Sequence, residues 1–412
     1  MQHSGPDLDR AVPALLVKVG HYPQHHGGVG VLRTLGRRGV PVHAMVEDPL
    51  TPAALSRYTA GRFVRRTTGR EDPDVLVDGL LAMGRAIGRR CVPVATDDEA
   101  AVLLAEHADR LAEWFLLPPV PADLPRRLAD KEGLHRLCLE HGVPSPRSRA
   151  PADHHELLAA AREWGYPLVL KNLRAWTRLQ APAVRHTTTV HDEAELLAAC
   201  PPGGAPSVLV QEYLPVEQAE DWITHLYLGA DEQRQLVFTG LKIRSWPPYA
   251  GVTTRARALG NPALAEQAVR FCRRIGYRGV ADLDWRLDRR DGQYKLVDFN
   301  PRTGAQFRLF ETVAGVDVVR ALHLDLTGRP LPSGGQDRSR GYAVGQLDLP
   351  AAAAWGWRER RVPPALLPRR TTERAWLCRD DPVPAAAEAV RFGGSVARWA
   401  VHGLRSQSGN VA

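Results

Sequence analysis

Apolar and polar residues alternate along two neighbouring stretches, 281–287 and 293–300, with a turn sequence ending in Asp-Gly between them. A period of two predicts the two strands of a hairpin. One face of this hairpin is polar, and it carries Asp282, Asp284, Asp298 and Asn300. The other face is apolar, and it carries Leu283, Trp285, Val297 and Phe299. We therefore expect one face to pack into a core while the other brings several carboxylates together.

The polar face has the chemistry of a magnesium site. Carboxylate and amide oxygens on adjacent strands are ligands that Mg²⁺ prefers when it shares its shell with phosphates. Arg302 follows two residues after Asn300, close enough to meet anionic oxygens. The tripeptide Asn-Pro-Arg is weak evidence alone, because it is also common turn sequence. The alternation is stronger evidence, because a solvated hairpin face more often mixes Thr, Lys, Arg and Glu.

The first 125 residues alternate between short apolar stretches and helical patterns. Strands are predicted at 14–19, 40–46, 63–66 and 91–95, and helices at 31–38 and 74–89. This order is typical of a parallel α/β layer. The glycines at positions 27, 28 and 30 do not fit G-x-G-x-x-G, so we do not expect a dinucleotide site.

A proline-rich linker at 118–125 precedes a second domain. Its first helix is predicted at 128–142 and carries Lys131, and a strand ends at Lys171. The later strands are predicted at 187–190, 207–212, 222–228 and 235–243, and the later helices at 153–164, 192–199, 262–275 and 313–326. Residues 172–186 and 245–258 are predicted as loops. Gly, Pro and Ala dominate from residue 331 until a last helix at about 383–404.

Composition narrows the function classes. No apolar run approaches the roughly 20 residues of a membrane span, and the N-terminus lacks a signal-peptide core, so we expect a cytoplasmic protein. The five cysteines are scattered without CxxC spacing, which argues against a disulfide framework and a zinc site. The net charge of +8 is spread along the chain, so a small anionic substrate explains it at least as well as nucleic acid.

The choice of basic residue is informative. Of 54 basic residues only five are lysines, and Lys131, Lys171 and Lys242 are among them. Lysine offers a compact point charge where arginine offers a planar fork. The surviving lysines are therefore candidates for contacts with phosphate.

The order of these features resembles the ATP-grasp superfamily of carboxylate-amine ligases. The features are Lys131, a strand ending at Lys171, an apolar strand ending in Gln-Glu-Tyr-Leu, and a hairpin ending in Asp-Phe-Asn-Pro-Arg. The resemblance spans roughly residues 128–328, and the region before it resembles the α/β domain that precedes ATP-grasp modules. It implies a mixed α/β and α+β chain with three parts: a domain at 1–125, an ATP-grasp domain at 126–330 whose smaller lid is at about 150–214, and a C-terminal extension at 331–412.

The resemblance also implies roles for individual residues. Lys131 and Lys171 would contact ATP phosphates, and ATP would lie between the two subdomains. The hinge segment, which would bind adenine through its backbone, consists of Gln211, Glu212, Tyr213 and Leu214. Glu220 would hold the ribose, with Glu217 and Asp221 as open alternatives. Asp284, Asp298 and Asn300 would bind Mg²⁺, or Mn²⁺ in its place, and Arg302 would steady the reacting group.

Two features depart from the family pattern. Many members have a glycine-rich phosphate loop after the second lysine, whereas the corresponding stretch here has no glycine and carries Arg174, Trp176 and Arg178. The glutamate that usually precedes Asn-Pro-Arg is Asp298, which is one methylene shorter. The ligand type is kept, and the shorter side chain is expected to alter the metal spacing.

Within the superfamily, the stretches TGLKIRSWPPYAGVTTR and GAQFRLF look most similar to amino-acid or peptide ligases related to D-aspartate ligase. That similarity implies an acylphosphate formed from a carboxylate, its capture by an amine, and release of ADP and phosphate. Lys242 and Arg244, with Arg255 and Arg257, are the candidates for binding the carboxylate. The alternatives are a bicarbonate-using carboxylase subunit and a nucleotide-binding regulatory protein with an inactive site. The expected partners are small-molecule carboxylate and amine substrates and a second copy of the chain in a homodimer.

Overall fold

The computed structural model describes residues 5–22, 24–173, 182–184, 187–248, 251–365 and 371–408, with side chains as far as residue 395. The predicted loop residues Arg174, Trp176 and Arg178 lie outside this described part. Within it, no helix is long and apolar enough to cross a membrane.

The N-terminal layer is a four-stranded parallel sheet, as the sequence predicts. Its strands are β1 (Ala14–Val17), β2 (Val42–Val46), β3 (Thr59–Val64) and β4 (Val92–Ala95), in the order β3-β2-β1-β4. Its helices are α1 (His26–Gly36), α2 (Pro73–Ile87), α3 (Asp98–Glu106) and α4 (Ala108–Leu111). The Asp97 side chain accepts a hydrogen bond from the backbone N–H of Ala100, so it caps α3 directly after β4.

The next two helices replace the single predicted helix at 128–142. They are α5 (Leu124–Ala129) and α6 (Lys131–Glu140). Asp130 separates them because its backbone is extended, and its side chain accepts from the N–H of Gly133 to begin α6. Lys131 is therefore the first residue of a capped helix.

A small antiparallel sheet forms the region predicted as the lid. Its strands are β5 (Ser148–Arg149), β6 (Leu168–Asn172), β7 (Thr188–Val190) and β8 (Val208–Glu212), in the order β5-β8-β6-β7. Helices α7 (His154–Trp164) and α8 (Glu193–Ala199) share an apolar cluster with this sheet.

A seven-stranded sheet forms the body of the molecule, with the order β13-β12-β9-β10-β11-β14-β15. Its first five strands along the chain are β9 (Ala219–Leu228), β10 (Gln235–Trp246), β11 (Val252–Ala258), β12 (Gly279–Asp288) and β13 (Gln293–Asn300). The helices are α9 (Pro262–Arg274) and α10 (Val318–Leu326). The prediction of a loop at 245–258 is wrong in its second half, because residues 252–258 form strand β11, which pairs with β10.

The C-terminal extension joins the same sheet. It contains β14 (Gly341–Ala343), α11 (Gly345–Glu359), β15 (Thr372–Arg374) and α12 (Val383–Ser408). Strand β14 pairs with β11, and β15 pairs with β14. The boundaries of the three predicted parts stay a prediction, although each of the three sheets lies mainly within one part.

One apolar core connects the N-terminal layer to the large sheet. Side chains of α1, such as Val29 and Leu32, share it with Phe307, Phe310 and Val319. The backbone N–H of Thr303 donates to the carbonyl of Ala95 at the end of β4 (3.1 Å). The end of the parallel sheet is thereby fixed beside the residues that follow the acidic hairpin.

Candidate functional site

The hairpin of β12 and β13 presents its polar residues as predicted. Asp282 lies opposite Asn300, and Asp284 lies opposite Asp298. The apolar face is correct for Leu283, Trp285 and Phe299, which belong to one buried core.

Val297 does not lie on that apolar face as expected. The register shifts after Asp284, so Trp285 pairs with Leu296, and Leu296 fills the core position instead. A bulge inserts one residue and interrupts the period of two. The Val297 carbonyl, left at the bulge, accepts a hydrogen bond from Lys171 Nζ (3.0 Å).

Two lysines from different elements reach this hairpin. Lys131 Nζ donates to Asp298 Oδ1, and Lys171 approaches from the end of β6. The backbone N–H of Lys131 also donates to the carbonyl of Leu173 (2.9 Å), which ties the two lysine-bearing segments together. Burial lowers the pKa of Lys171 to about 8, with Lys131 contributing in the same direction.

The facing carboxylates titrate differently. Burial would raise the pKa of Asp298, but the charges of Lys131 and Lys171 outweigh it and lower that pKa to about 2. Burial raises the pKa of Asp284, and the carboxylates of Asp282 and Asp298 add to this against the opposing charge of Lys242. Asp298 is thus the firmly anionic member of the facing pair.

Lys242 is the third cation of the site. Its Nζ lies 2.7 Å from Asp284 Oδ1, which is a buried oxygen without an aligned hydrogen bond. Burial would lower the pKa of Lys242, but Asp284 raises it overall. Each of the facing carboxylates therefore has its own lysine.

These oxygens fit a divalent cation by their chemistry. The described residues contain no metal-binding group made of three or more His, Cys, Asp or Glu side chains, so a site here needs an amide oxygen as well. The candidate set has two carboxylates, Asp284 and Asp298, and the amide oxygen of Asn300 on the facing strands. A site with so few protein ligands suits Mg²⁺, which keeps waters and substrate phosphates in its shell.

Arg302 lies at the edge of the acidic face. Its Nη2 donates to Asn300 Oδ1 (3.0 Å), its Nη1 donates to Asp282 Oδ2 (3.4 Å), and its Nε lies 3.3 Å from Asp98 Oδ1. The side chain is 17% exposed, so the guanidinium is accessible but constrained. Sequence reasoning placed Arg302 here but missed Asp98, which lies at the start of α3 and has no sequence signal that connects it to this site.

The hinge segment begins where the ladder of β8 ends. Gln211 pairs with Ser148 of β5, Glu212 pairs with Leu168 of β6, and Tyr213 and Leu214 follow. Gln211 is buried and donates from Nε2 to the Ser148 hydroxyl (2.9 Å). The backbone of Tyr213 and Leu214 lies beyond these paired positions, as an adenine contact requires, and that role stays a prediction.

The ribose candidates remain open. Glu220 accepts a hydrogen bond from Trp222 Nε1 (3.2 Å) and pairs with Arg289. Asp221 pairs with Arg286 (3.1 Å), and Glu217 is exposed. All of these acids follow the hinge segment closely.

Arg244 does not contact the acidic hairpin as Lys242 does, and its partner is Asp348. Its guanidinium is almost completely buried and contacts both carboxylate oxygens of Asp348 in α11 (3.0 and 2.9 Å). Arg255 is also buried, against Asp348 (3.6 Å) and the carbonyl of Ala365 (2.9 Å). The predicted contact of Arg244 with a substrate carboxylate stays a prediction, and in this structure Asp348 occupies the fork.

Comparisons with known proteins fit this geometry. The family model described as "Carbamoyl-phosphate synthase L chain, ATP binding domain" matches residues 253–332, which include the acidic hairpin. The D-aspartate ligase of Enterococcus faecium (strain Aus0004) is 23% identical over 292 residues, covering 67% of this chain and 68% of the relative. The biotin carboxylase of Allochromatium vinosum is 26% identical over 260 residues, covering 58% of this chain and 55% of the relative. The chain thus spans about half the length of that carboxylase.

Solved structures share the fold. N5-carboxyaminoimidazole synthetase from Staphylococcus aureus has a TM-score of 0.60 at 13% identity and covers 82% of both chains. The biotin carboxylase domain dimer of Hydrogenobacter thermophilus 2-oxoglutarate carboxylase, in complex with MgADP, ADP and bicarbonate, has a TM-score of 0.56 at 17% identity, covering 78% of this chain and 71% of the other.

The chain has the ATP-grasp fold, and in sequence it is similar to a D-aspartate ligase and to biotin carboxylases.

Proposed function

We propose that this protein couples a carboxylate, carried by an amino acid or peptide, to an amine through an acylphosphate, with release of ADP and phosphate. The observation that carries the proposal is the meeting of Lys131 and Lys171 at the hairpin that presents Asp284 opposite Asp298. A carboxylate is a poor electrophile, so coupling requires that its oxygen become a leaving group, and transfer of the ATP γ-phosphoryl achieves this.

Lys131 and Lys171 would hold the nucleotide phosphates. In this structure Lys131 pairs with Asp298, and Lys171 donates to the carbonyl of Val297. Phosphate oxygens can replace these oxygens as partners of the two lysines. Bound Mg²⁺, held by Asp284, Asp298 and Asn300, would supply charge neutralisation between the two anionic reactants. The MgADP bound in the Hydrogenobacter structure supports ATP and Mg²⁺ as the cofactors.

Arg302 would act on the acyl group. Its guanidinium borders the acidic face at Asn300 and Asp282. A fixed cation at this position offsets negative charge that develops on the acyl oxygen when the amine attacks. Lys242 is the nearest candidate to orient the substrate carboxylate, because it lies on the same face through Asp284.

Similarity to D-aspartate ligase favours an amino acid as one substrate. Similarity to biotin carboxylases favours a second candidate, in which bicarbonate is the carboxylate that is activated. ADP release that requires bicarbonate, and that no amino acid stimulates, would support this second candidate. ATP binding without any turnover would support the regulatory alternative.

Isotope transfer tests the chemical step. A screen of amino acids and amines for ADP release first identifies the substrates, and the carboxylate is then labelled with heavy oxygen. Acylphosphate formation carries one labelled oxygen into inorganic phosphate and leaves ADP as the only nucleotide product. Label in AMP, or AMP as a product, would overturn the mechanism, because those outcomes define an adenylate.

A further inference from the structure

Two aspartates from different parts of the chain surround the guanidinium of Arg302. Asp282 comes from β12 of the large sheet, and Asp98 comes from the first residue of α3 in the N-terminal layer. The side chains of these aspartates are 5% and 7% exposed, respectively. Asp98 faces Nε, Asp282 faces Nη1 and Asn300 faces Nη2, so every nitrogen of the fork has an acidic or amide neighbour.

A buried histidine and a close glycine lie behind Asp282. His225 is fully buried, and its Nε2 lies 2.9 Å from Asp282 Oδ1, whereas Arg302 faces the other carboxylate oxygen, Oδ2. The His225 ring packs against Phe310 with the centroids 5.0 Å apart. A Cβ atom at Gly304 would lie 2.5 Å from both Asp282 Oδ2 and His225 Cε1. Only glycine lets the chain after Arg302 pass this close to the pair.

We propose that Asp282 and Asp98 are positioning residues that hold Arg302 in the orientation that the ligase reaction uses, with His225 fixing Asp282 from behind. The inference rests on the proposed role of Arg302 in acyl transfer. It adds that the N-terminal layer contributes to the chemical step through Asp98, which acts by way of Arg302.

The charges support this arrangement. The Asp282 carboxylate lies between two nitrogen-bearing side chains, with His225 at Oδ1 (2.9 Å) and Arg302 at Oδ2 (3.4 Å). An arginine fork is planar, and a planar cation stabilises a developing charge only when its N–H groups point at that charge. The two carboxylates at Nε and Nη1, together with the Thr303 carbonyl at Nη1 (3.2 Å), would fix the plane of the guanidinium.

A double-mutant cycle distinguishes positioning from a general structural role. Arg302→Ala is expected to lower kcat about 100-fold, and Asp282→Asn or Asp98→Asn about 10-fold, with the KM for ATP unchanged within about threefold. Because the aspartates act through Arg302, adding either Asn substitution to Arg302→Ala should lower kcat no further. Multiplied losses in the double variants would overturn the proposal. If Asp282→Asn does not fold, Asp98→Asn carries the same test.

Asp325→Asn is the matched control. Asp325 is 10% exposed and, like Asp282, contacts one arginine and one buried ring, Arg234 and Tyr227. It lies on α10 and takes no part in the proposed site. Its substitution should change the thermal midpoint without changing kcat, whereas Asp282→Asn should change kcat beyond any effect on stability.

A second readout does not require turnover. In protein labelled with ¹⁵N-arginine, the signal that Arg302→Ala removes identifies the Arg302 side chain. A guanidinium held on all sides rotates slowly about its Nε–Cζ bond, so its Nη signals should be separate in the wild type and merge in Asp282→Asn. Unchanged separate signals in Asp282→Asn and Asp98→Asn would overturn the proposal. If the wild type releases no ADP with any carboxylate, the proposed function fails, while these spectra still decide the positioning role.

Discussion

The side chain of Lys171 changes its charge within the pH range in which enzymes are usually assayed. Burial lowers its pKa to about 8, so in the free protein it is mainly protonated at pH 7 and mainly neutral at pH 9. Only the protonated amine attracts ATP phosphates. We expect the affinity for ATP to fall as the pH rises through 8, in titrations with a fluorescent ATP analogue. Lys171→Arg should remove this dependence between pH 7 and 9, because arginine stays charged. An equally steep fall in Lys171→Arg would assign the titration to another group.

The two faces of the acidic hairpin should respond oppositely to substitution. Asp298→Asn removes an anionic ligand from the polar face, and we expect it to abolish ADP release while sparing the fold.

Trp285 lies on the apolar face, where it is 1% exposed and donates from Nε1 to Thr224 Oγ1 (3.0 Å). Trp285→Ala should therefore cost about 3–5 kcal/mol of stability. ADP assays paired with thermal melts check both variants. Full activity of Asp298→Asn at saturating magnesium would exclude it as a metal ligand.

At the scale of elements, the acidic hairpin can be predicted from the sequence because the period of two is visible in it. The predicted second strand, 293–300, agrees with β13. The bulge at Val297 cannot be predicted, because nothing in the sequence marks the point where the pairing of the two strands shifts by one residue. Strand β11 is missed because the Pro-Pro and Gly that precede it are turn signals. The partners of Arg244 and Arg255 cannot be inferred, since Asp348 lies about a hundred residues away in sequence.

Helix α11 should contribute to stability through a single buried carboxylate, that of Asp348. Asp348 faces the buried guanidinium groups of Arg244 and Arg255, whose side chains are 1% and 5% exposed. Asp348→Ala leaves two charges without their counterion, so we expect a loss on the order of 3–5 kcal/mol.

Thermal melting checks this, with Arg257→Ala as the control, because Arg257 is an exposed neighbour on β11 and its loss should stay within about 0.5 kcal/mol. A Tm for Asp348→Ala that matches the control would show that the buried charges are compensated elsewhere.

At the scale of the whole molecule, the C-terminal extension connects the N-terminal layer to the large sheet. Arg33 of α1 is 2% exposed, and its fork binds Asp381 (2.9 Å) together with the carbonyls of Ala375 and Trp376 (3.2 and 2.8 Å). Asp381 also accepts from the Ser56 hydroxyl (2.8 Å). Residues that are more than 300 positions apart thus form one buried network, which no local sequence pattern could predict.

The adjacent aspartates 380 and 381 allow a matched test of this connection. Asp381→Ala leaves the buried Arg33 without its counterion, so the loss should be about 3–5 kcal/mol. Asp380 is 42% exposed, and its partner Arg37 is 27% exposed, so solvent screens that pair and Asp380→Ala should cost about 1 kcal/mol or less. Urea unfolding followed separately by tryptophan fluorescence and circular dichroism checks the difference, because a chain of this size need not unfold in one step. Equal midpoints for the two variants would show that the Arg33–Asp381 pair does not hold the extension to the N-terminal layer.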